Sequence, residues 1–254
     1  MNKPKQMVTR KKRINRTGCF AAWFLLVTIL AGLCLVSDVN AANSFHGILT
    51  QSGTWTRANS PYTLDGPLAI DKGVTITVEP GVTINLNGFY IQVNGTLIAQ
   101  GTDNDKIYFN NGEVRYTSVA GSGSIFENTV TDNLETSATV RISKNTFSIL
   151  DAGGSSTVSD NTIKELHAGG SAVVTNNQIT DSCYVGGSSQ VKSNNINTRL
   201  IFVSGANAVV SDNRISDGVH CDIGGNHVTI SNNEIYCKGN YPLILVAGAI
   251  QPTY

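Results

Sequence analysis

The 254-residue chain has no net charge, with 18 Lys and Arg against 18 Asp and Glu, and only 14% of its residues are charged. This balance provides no basic face and excludes nucleic acid as a partner on electrostatic grounds. Of five cysteines only Cys183, Cys221 and Cys237 follow the N-terminal segment. Three cysteines allow at most one bridge, so disulfides are not the framework of the fold.

The first element, residues 1–42, runs from basic "MNKPKQMVTRKKRINRTG" through apolar "CFAAWFLLVTILAGLCLV" to small "SDVNAAN". That order is the grammar of a secretory signal, with cleavage after Ala41 or Ala42 expected. An uncleaved signal anchor stays open as the alternative, since the apolar run is long enough to span a bilayer. Both readings place the rest of the chain outside the cytoplasm, secreted or at the cell surface. Membrane contact is then expected only through this segment. Cys34 does not mark a lipoprotein, because Leu33 precedes it where a small residue belongs.

Residues 43–114 alternate apolar and polar side chains in short runs, "VTITV", "VTINL", "YIQV" and "TLIA", ended by Gly81, Gly88, Gly95 and Gly101. Period-two alternation bounded by Gly, Pro and Asn predicts strands and tight turns. We expect this stretch to hold an N-terminal cap and the first coils of a solenoid, with Trp55 and Tyr62 packing the cap. "DNDK" at 103–106 reads as a polar turn rather than a calcium loop, and "NGT" at 94–96 is a glycosylation sequon.

Residues 115–254 are a repeat. "VSDNTI", "VTNNQI", "VSDNRI" and "ISNNEI" are versions of one phrase, whose Asn residues are assigned as Asn128, Asn145, Asn161, Asn177, Asn194, Asn213 and Asn233. The intervals are 17, 16, 16, 17, 19 and 20 residues. A second marker lies between them: Gly153-Gly154, Gly169-Gly170, Gly186-Gly187, Ser204-Gly205 and Gly224-Gly225. From marker to Asn the distance stays at 8 or 9, whereas from Asn to marker it grows from 8 to 11. Insertions gather where a loop can bulge into solvent.

A strand-rich unit of 16–20 residues cannot bury its own apolar face and must stack on copies of itself. The predicted fold is all-β: a single-stranded right-handed parallel β-helix, a solenoid with an N-terminal β cap. The repeated Asn forms a structural amide ladder from coil to coil. The double glycine makes a corner where positive φ or close coil approach excludes a Cβ.

These "SDNTI/TNNQI/SDNRI/SNNEI" coils, with the opening "GTWT…SPYTL…GVTITVEPGVTI…VNGTLIAQGT…KIYF", resemble the right-handed parallel β-helix superfamily of pectate-lyase-like and NosD-like proteins. The resemblance covers nearly all of the chain after the signal. It implies a fold rather than a task, because this superfamily includes lyases, hydrolases, epimerases, adhesins and copper-maturation factors.

Counted from the double glycine, Ala152, Ala168, Val185, Val203 and Ile223 point inward, as do Leu150, Leu166, Cys183, Ile201 and Cys221. Cys183 and Cys221 are then buried thiols two coils apart. The outward column between them is Asp151, His167, Tyr184, Phe202 and Asp222, with Ile149, Glu165, Ser182, Leu200 and His220 beside it. It offers aromatics for stacking on sugars and carboxylates and imidazoles for proton transfer. Ligand-binding candidates are Asp151, His167, Tyr184, Phe202, Asp222 and His220; the weak catalytic candidates are Asp151, Glu165 and His167. Bulges of the lengthening segment are expected to frame a groove beside them.

Asp151 and Glu165 on adjacent coils suggest a carboxylate separation of about 7–9 Å, near that of an inverting glycosidase. The resemblance implies clustered aspartates for calcium and a basic residue in the lyases. Arg199 stands alone near the strip, which counts against lyase activity. His167, His220 and His227 point in directions that do not close a metal site, and we expect no metal and no cofactor.

The C-terminal "NYPLILVAGAIQPTY" begins another coil without a polar cap. It folds over the last coil, packs on a partner, or is the cut edge of a longer protein. The sequence thus leads to a non-catalytic surface module for polysaccharide or cell-envelope glycans, or a structural one. The first alternative is a carbohydrate-active hydrolase or lyase, the second a NosD-like accessory protein of metal-enzyme maturation.

Overall fold

The computed structural model describes residues 43–197, 200–204, 207–216, 220–224 and 227–236. Residues 1–42, Arg199, Cys237 and the apolar C-terminal run lie outside the described residues. So do the side chains of Phe202, His220, Cys221 and Asp222, which are placed only through their strands.

Those residues form a right-handed parallel β-solenoid of about nine turns. Its rungs stack into two sheets, of 14 and 10 strands among the described residues, and every pairing is parallel. One repeat shows the plan. The short strand Thr157–Ser159 lies in the smaller sheet, and Thr162–Ala168 runs along two sides of the larger one. Val158, Ile163, Leu166 and Ala168 point inward with at most 3% exposure; Leu166 and Ala168 keep period-two alternation, which the three-residue step from Ile163 interrupts. Stacked equivalents continue this core from Leu64 to Val228. Residues 43–114 are coils of the same solenoid, since Asn43–Leu49 pairs with Tyr62–Ile70, and Gly53–Trp55 with Thr75–Val78. At that end Trp55 and Tyr62 stack with ring centres 5.4 Å apart, both buried.

The phrase "S/T-x-N" resolves into three jobs. The first residue ends the short strand. The second adopts the left-handed conformation at every turn, with φ between +50° and +60° at Asn128, Lys144, Asp160, Asn176, Ser193, Asp212 and Asn232. Asn and Asp tolerate this region better than other L-residues, which accounts for their frequency here. The third is the ladder residue. The Asn161 amide donates to Asn177 Oδ1 at 2.9 Å, and the Asn161 backbone N–H donates to the same oxygen at 2.9 Å. The pattern recurs from Asn145 to Asn233.

Asn128 is not part of that ladder. It occupies the left-handed position, and Thr129 holds the ladder site, giving both its backbone N–H and its hydroxyl to Asn145 Oδ1 at 2.8 and 2.9 Å. The apparent interval of 17 is therefore 16, one residue of register having been hidden by an Asn in a neighbouring role.

At the opposite corner Gly154, Gly170 and Gly187 take φ of +57° to +61°. A Cβ on Gly170 would sit 2.7 Å from the Gly154 carbonyl, and one on Gly187 would sit 2.7 Å from that of Gly170. Close coil approach and positive φ both require glycine there. The lengthening segment enters as an extra residue between Ile179 and Ser182, which oppose Ile163 and Glu165.

Candidate functional site

The strand register builds a continuous outward column. Arg115, Glu135, Asp151, His167, Tyr184, Phe202 and Asp222 pair in that order on successive rungs. Beside it run Glu113, Asn133, Ile149, Glu165, Ser182, Leu200 and His220. Rungs of a parallel sheet are ~4.8 Å apart, so equivalent positions on successive rungs are direct neighbours.

The column forms one wall of an open groove of about 400 Å³. Glu135, Asp151, His167 and Tyr184 supply that wall, and the corner residues Gly153, Gly169 and Gly186 lie along its floor. A Cβ on Gly153 would meet the Thr136 carbonyl at 2.6 Å, so close packing explains that glycine. Gly169 differs: its φ lies outside the left-handed region and a Cβ there would meet nothing within 4 Å. The bare backbone at Gly169 leaves the floor open. Thr180 and Asp181, the stretch that holds the one extra residue, do not line this groove, and the longer insertions of the next two coils fall at residues 198–199 and 217–219, outside the described residues.

Inside the wall the charges are tightly engaged. His167 Nδ1 meets Asp151 Oδ1 in a short contact, and Nε2 meets Glu165 Oε1 at 2.8 Å. A carboxylate only accepts, so both contacts are hydrogen bonds at once when the ring bears a proton on each nitrogen. The imidazole packs edge-on to Tyr184 with centres 4.8 Å apart. The side chains of Asp151, His167 and Glu165 remain 44%, 41% and 31% exposed, within reach of a ligand. Two rungs from Asp151, Arg115 Nη2 lies 2.5 Å from Glu113 and its guanidinium sits 4.5 Å from the Tyr90 ring centre. Glu113 raises the Arg115 pKa above its ordinary value through that bond. Glu135 is held less closely, 3.8 Å from Arg115 Nε.

Asp151, Glu165, His167 and Tyr184 are thus brought into one patch. Phe202 and Asp222 continue the column by register, and His220 lies on the neighbouring one. The imidazole fills the space between Asp151 and Glu165, the pair suggested for an inverting mechanism. Sequence reasoning missed Arg115 and Glu135. The alternation in "EVRYT" and "NLETS" marks both as outward, but the coils there carry no double-glycine marker.

Elsewhere, Asp105 of "DNDK" pairs with Arg57 at 2.8 Å, and its N–H donates to the Thr102 hydroxyl. Among the described residues no three or more His, Cys, Asp and Glu are arranged to hold one metal ion. Cys183 is fully buried, and burial pushes its thiol up to about 12.

In comparisons with known proteins, no family model, no curated protein and no solved structure matches this chain.

Proposed function

We propose that this chain is an exported, non-catalytic glycan-binding module, a β-solenoid akin to the pectate-lyase-like and NosD-like superfamily, with a linear polysaccharide or cell-envelope glycan lying along its groove. The observation that carries this reading is the wall Glu135–Asp151–His167–Tyr184 above a floor left bare at Gly169. Extended glycans suit such a surface because rung-spaced polar groups can bond successive hydroxyls while aromatic edges and faces pack on sugar rings. Hydrolysis fits it less well. An inverting pair needs room for water between its carboxylates, and His167 lies there with both nitrogens engaged.

The test measures both retention and product release. Purified protein is passed over immobilised plant and microbial polysaccharides and incubated with the same polymers, beside Gly169→Ala and an Asp151→Ala/Glu165→Ala double variant. Retention without products, weakened by Gly169→Ala in a protein of unchanged circular dichroism, is expected. Cleavage that disappears in the double variant would establish a hydrolase in which His167 swings aside. Absence of both retention and cleavage would overturn the glycan reading.

A further inference from the structure

The groove wall has a lopsided charge arrangement. Glu135 and Asp151 occupy the same outward column on adjacent rungs, directly opposite one another in the ladder. Like charges so placed repel and weaken a sheet. The basic groups nearest to them are shared with other carboxylates: Arg115, 3.8 Å from Glu135, is held more closely by Glu113 at 2.5 Å. His167 lies on the far side of Asp151, shared between Asp151 and Glu165. The groove lining therefore combines two carboxylates, Glu135 and Asp151, with one imidazole, His167, and no Lys or Arg. Glu135 is the loosely held member, half exposed and 3.8 Å from its only ion-pair partner among the described residues.

We infer that the groove selects an amino-bearing glycan, whose ammonium groups seat between Glu135 and Asp151, and rejects polyuronates. This rests on the glycan-binding reading and narrows it. An ammonium bridging the two carboxylates removes their repulsion and adds charge-assisted hydrogen bonds. A uronate in the same place would add a third negative charge to a wall that already carries an excess. The floor at Gly169 gives the sugar backbone its approach, while Glu135 and Asp151 read its charge. The facing pair Glu135 and Asp151 is a stability cost, of the kind binding sites retain when a ligand removes it.

The experiment is calorimetric titration of the purified protein with three hexasaccharides at mildly acid pH, where the sugar amine is charged. These are β-1,4-linked glucosamine, its fully N-acetylated form, and galacturonate. Glucosamine is expected to bind roughly tenfold more tightly than the acetylated chain, a gap of about 1.4 kcal/mol, and galacturonate not at all. Glu135→Gln should abolish that preference and at the same time raise Tm, which a merely structural carboxylate would not do. Equal or tighter binding of the acetylated chain, binding of galacturonate, or an unchanged preference in Glu135→Gln would overturn the amino-sugar inference and leave the glycan module standing. Failure of all three chains to bind would overturn both.

Discussion

At the scale of single residues, the ladder asparagines carry the greatest load. Asn177 donates to the Val158 and Thr175 carbonyls and to Asn194 Oδ1, and accepts two bonds from Asn161. Replacing it with Ala orphans buried groups on both neighbouring coils, each costing about 1–3 kcal/mol. Asn177→Ala should lower stability by about 3 kcal/mol or more, and Asn233→Ala, at a half-buried rung, by about 1 kcal/mol; denaturant midpoints would rank them. The inward column past the glycine corner makes the opposite case. Ser156 is buried with no partner for its hydroxyl, whereas Ser189 donates to the Gly186 carbonyl at 2.7 Å. Ser156→Ala is expected to be neutral or to stabilise by up to about 1 kcal/mol, and Ser189→Ala to destabilise by about 1 kcal/mol. Paired thermal melts of the two variants would reveal the contrast, and Ala172, which already occupies this column, shows that a methyl fits.

At the scale of the element, from Asn128 onward each short turn from the smaller sheet to the larger is one left-handed residue followed by one ladder residue. Lys144 takes φ +59° with no side-chain preference for that region. Its ammonium reaches Glu127 only at 3.6 Å from an exposed position, and such a surface pair contributes little. Lys144→Asn should therefore stabilise the protein by about 0.5–1 kcal/mol, read as a rise in the unfolding midpoint. The strands themselves were legible in the sequence, because period-two alternation and a fixed marker-to-Asn distance leave one register. Asn128 was misplaced because asparagine suits both adjacent positions of the turn. The clasp of His167 between Asp151 and Glu165 was not legible, since register says which residues are neighbours but not which rotamers they choose. Arg115 and Glu135 escaped notice because coils before Thr136 lack the glycine marker from which outward positions were counted.

At the scale of the whole molecule, the core's titrating groups set an alkaline limit. Burial raises the Cys183 thiol from its ordinary 9.0 to about 12 and pushes the Tyr116 phenol well above its usual range. Below pH 9 the thiol holds its proton in both folded and unfolded chains, and its contribution to stability is fully present. Above pH 9 the unfolded chain releases that proton while the folded chain keeps it, so stability falls by up to about 1.4 kcal/mol per pH unit for this one group. The loss continues until the folded value near 12 is reached. Urea midpoints between pH 8 and pH 11 should decline, and Cys183→Val should flatten the decline; an identical slope in the variant would refute the assignment.

The equal coil length between Asn145, Asn161 and Asn177 has one more implication. Excising residues 161–176 joins left-handed Asp160 to ladder Asn177, the same junction that Asn176 makes with it now. Asn145 would meet Asn177 as it meets Asn161, and the Gly153-Gly154 corner would stack directly on Gly186-Gly187. The shortened rod should fold, with a single cooperative melt and unchanged β signal in circular dichroism. It would nevertheless have lost Glu165, His167 and Gly169 together. Architecture and surface are therefore inherited in separate parcels: a duplication or loss of one rung can create or erase the groove without asking the fold to change.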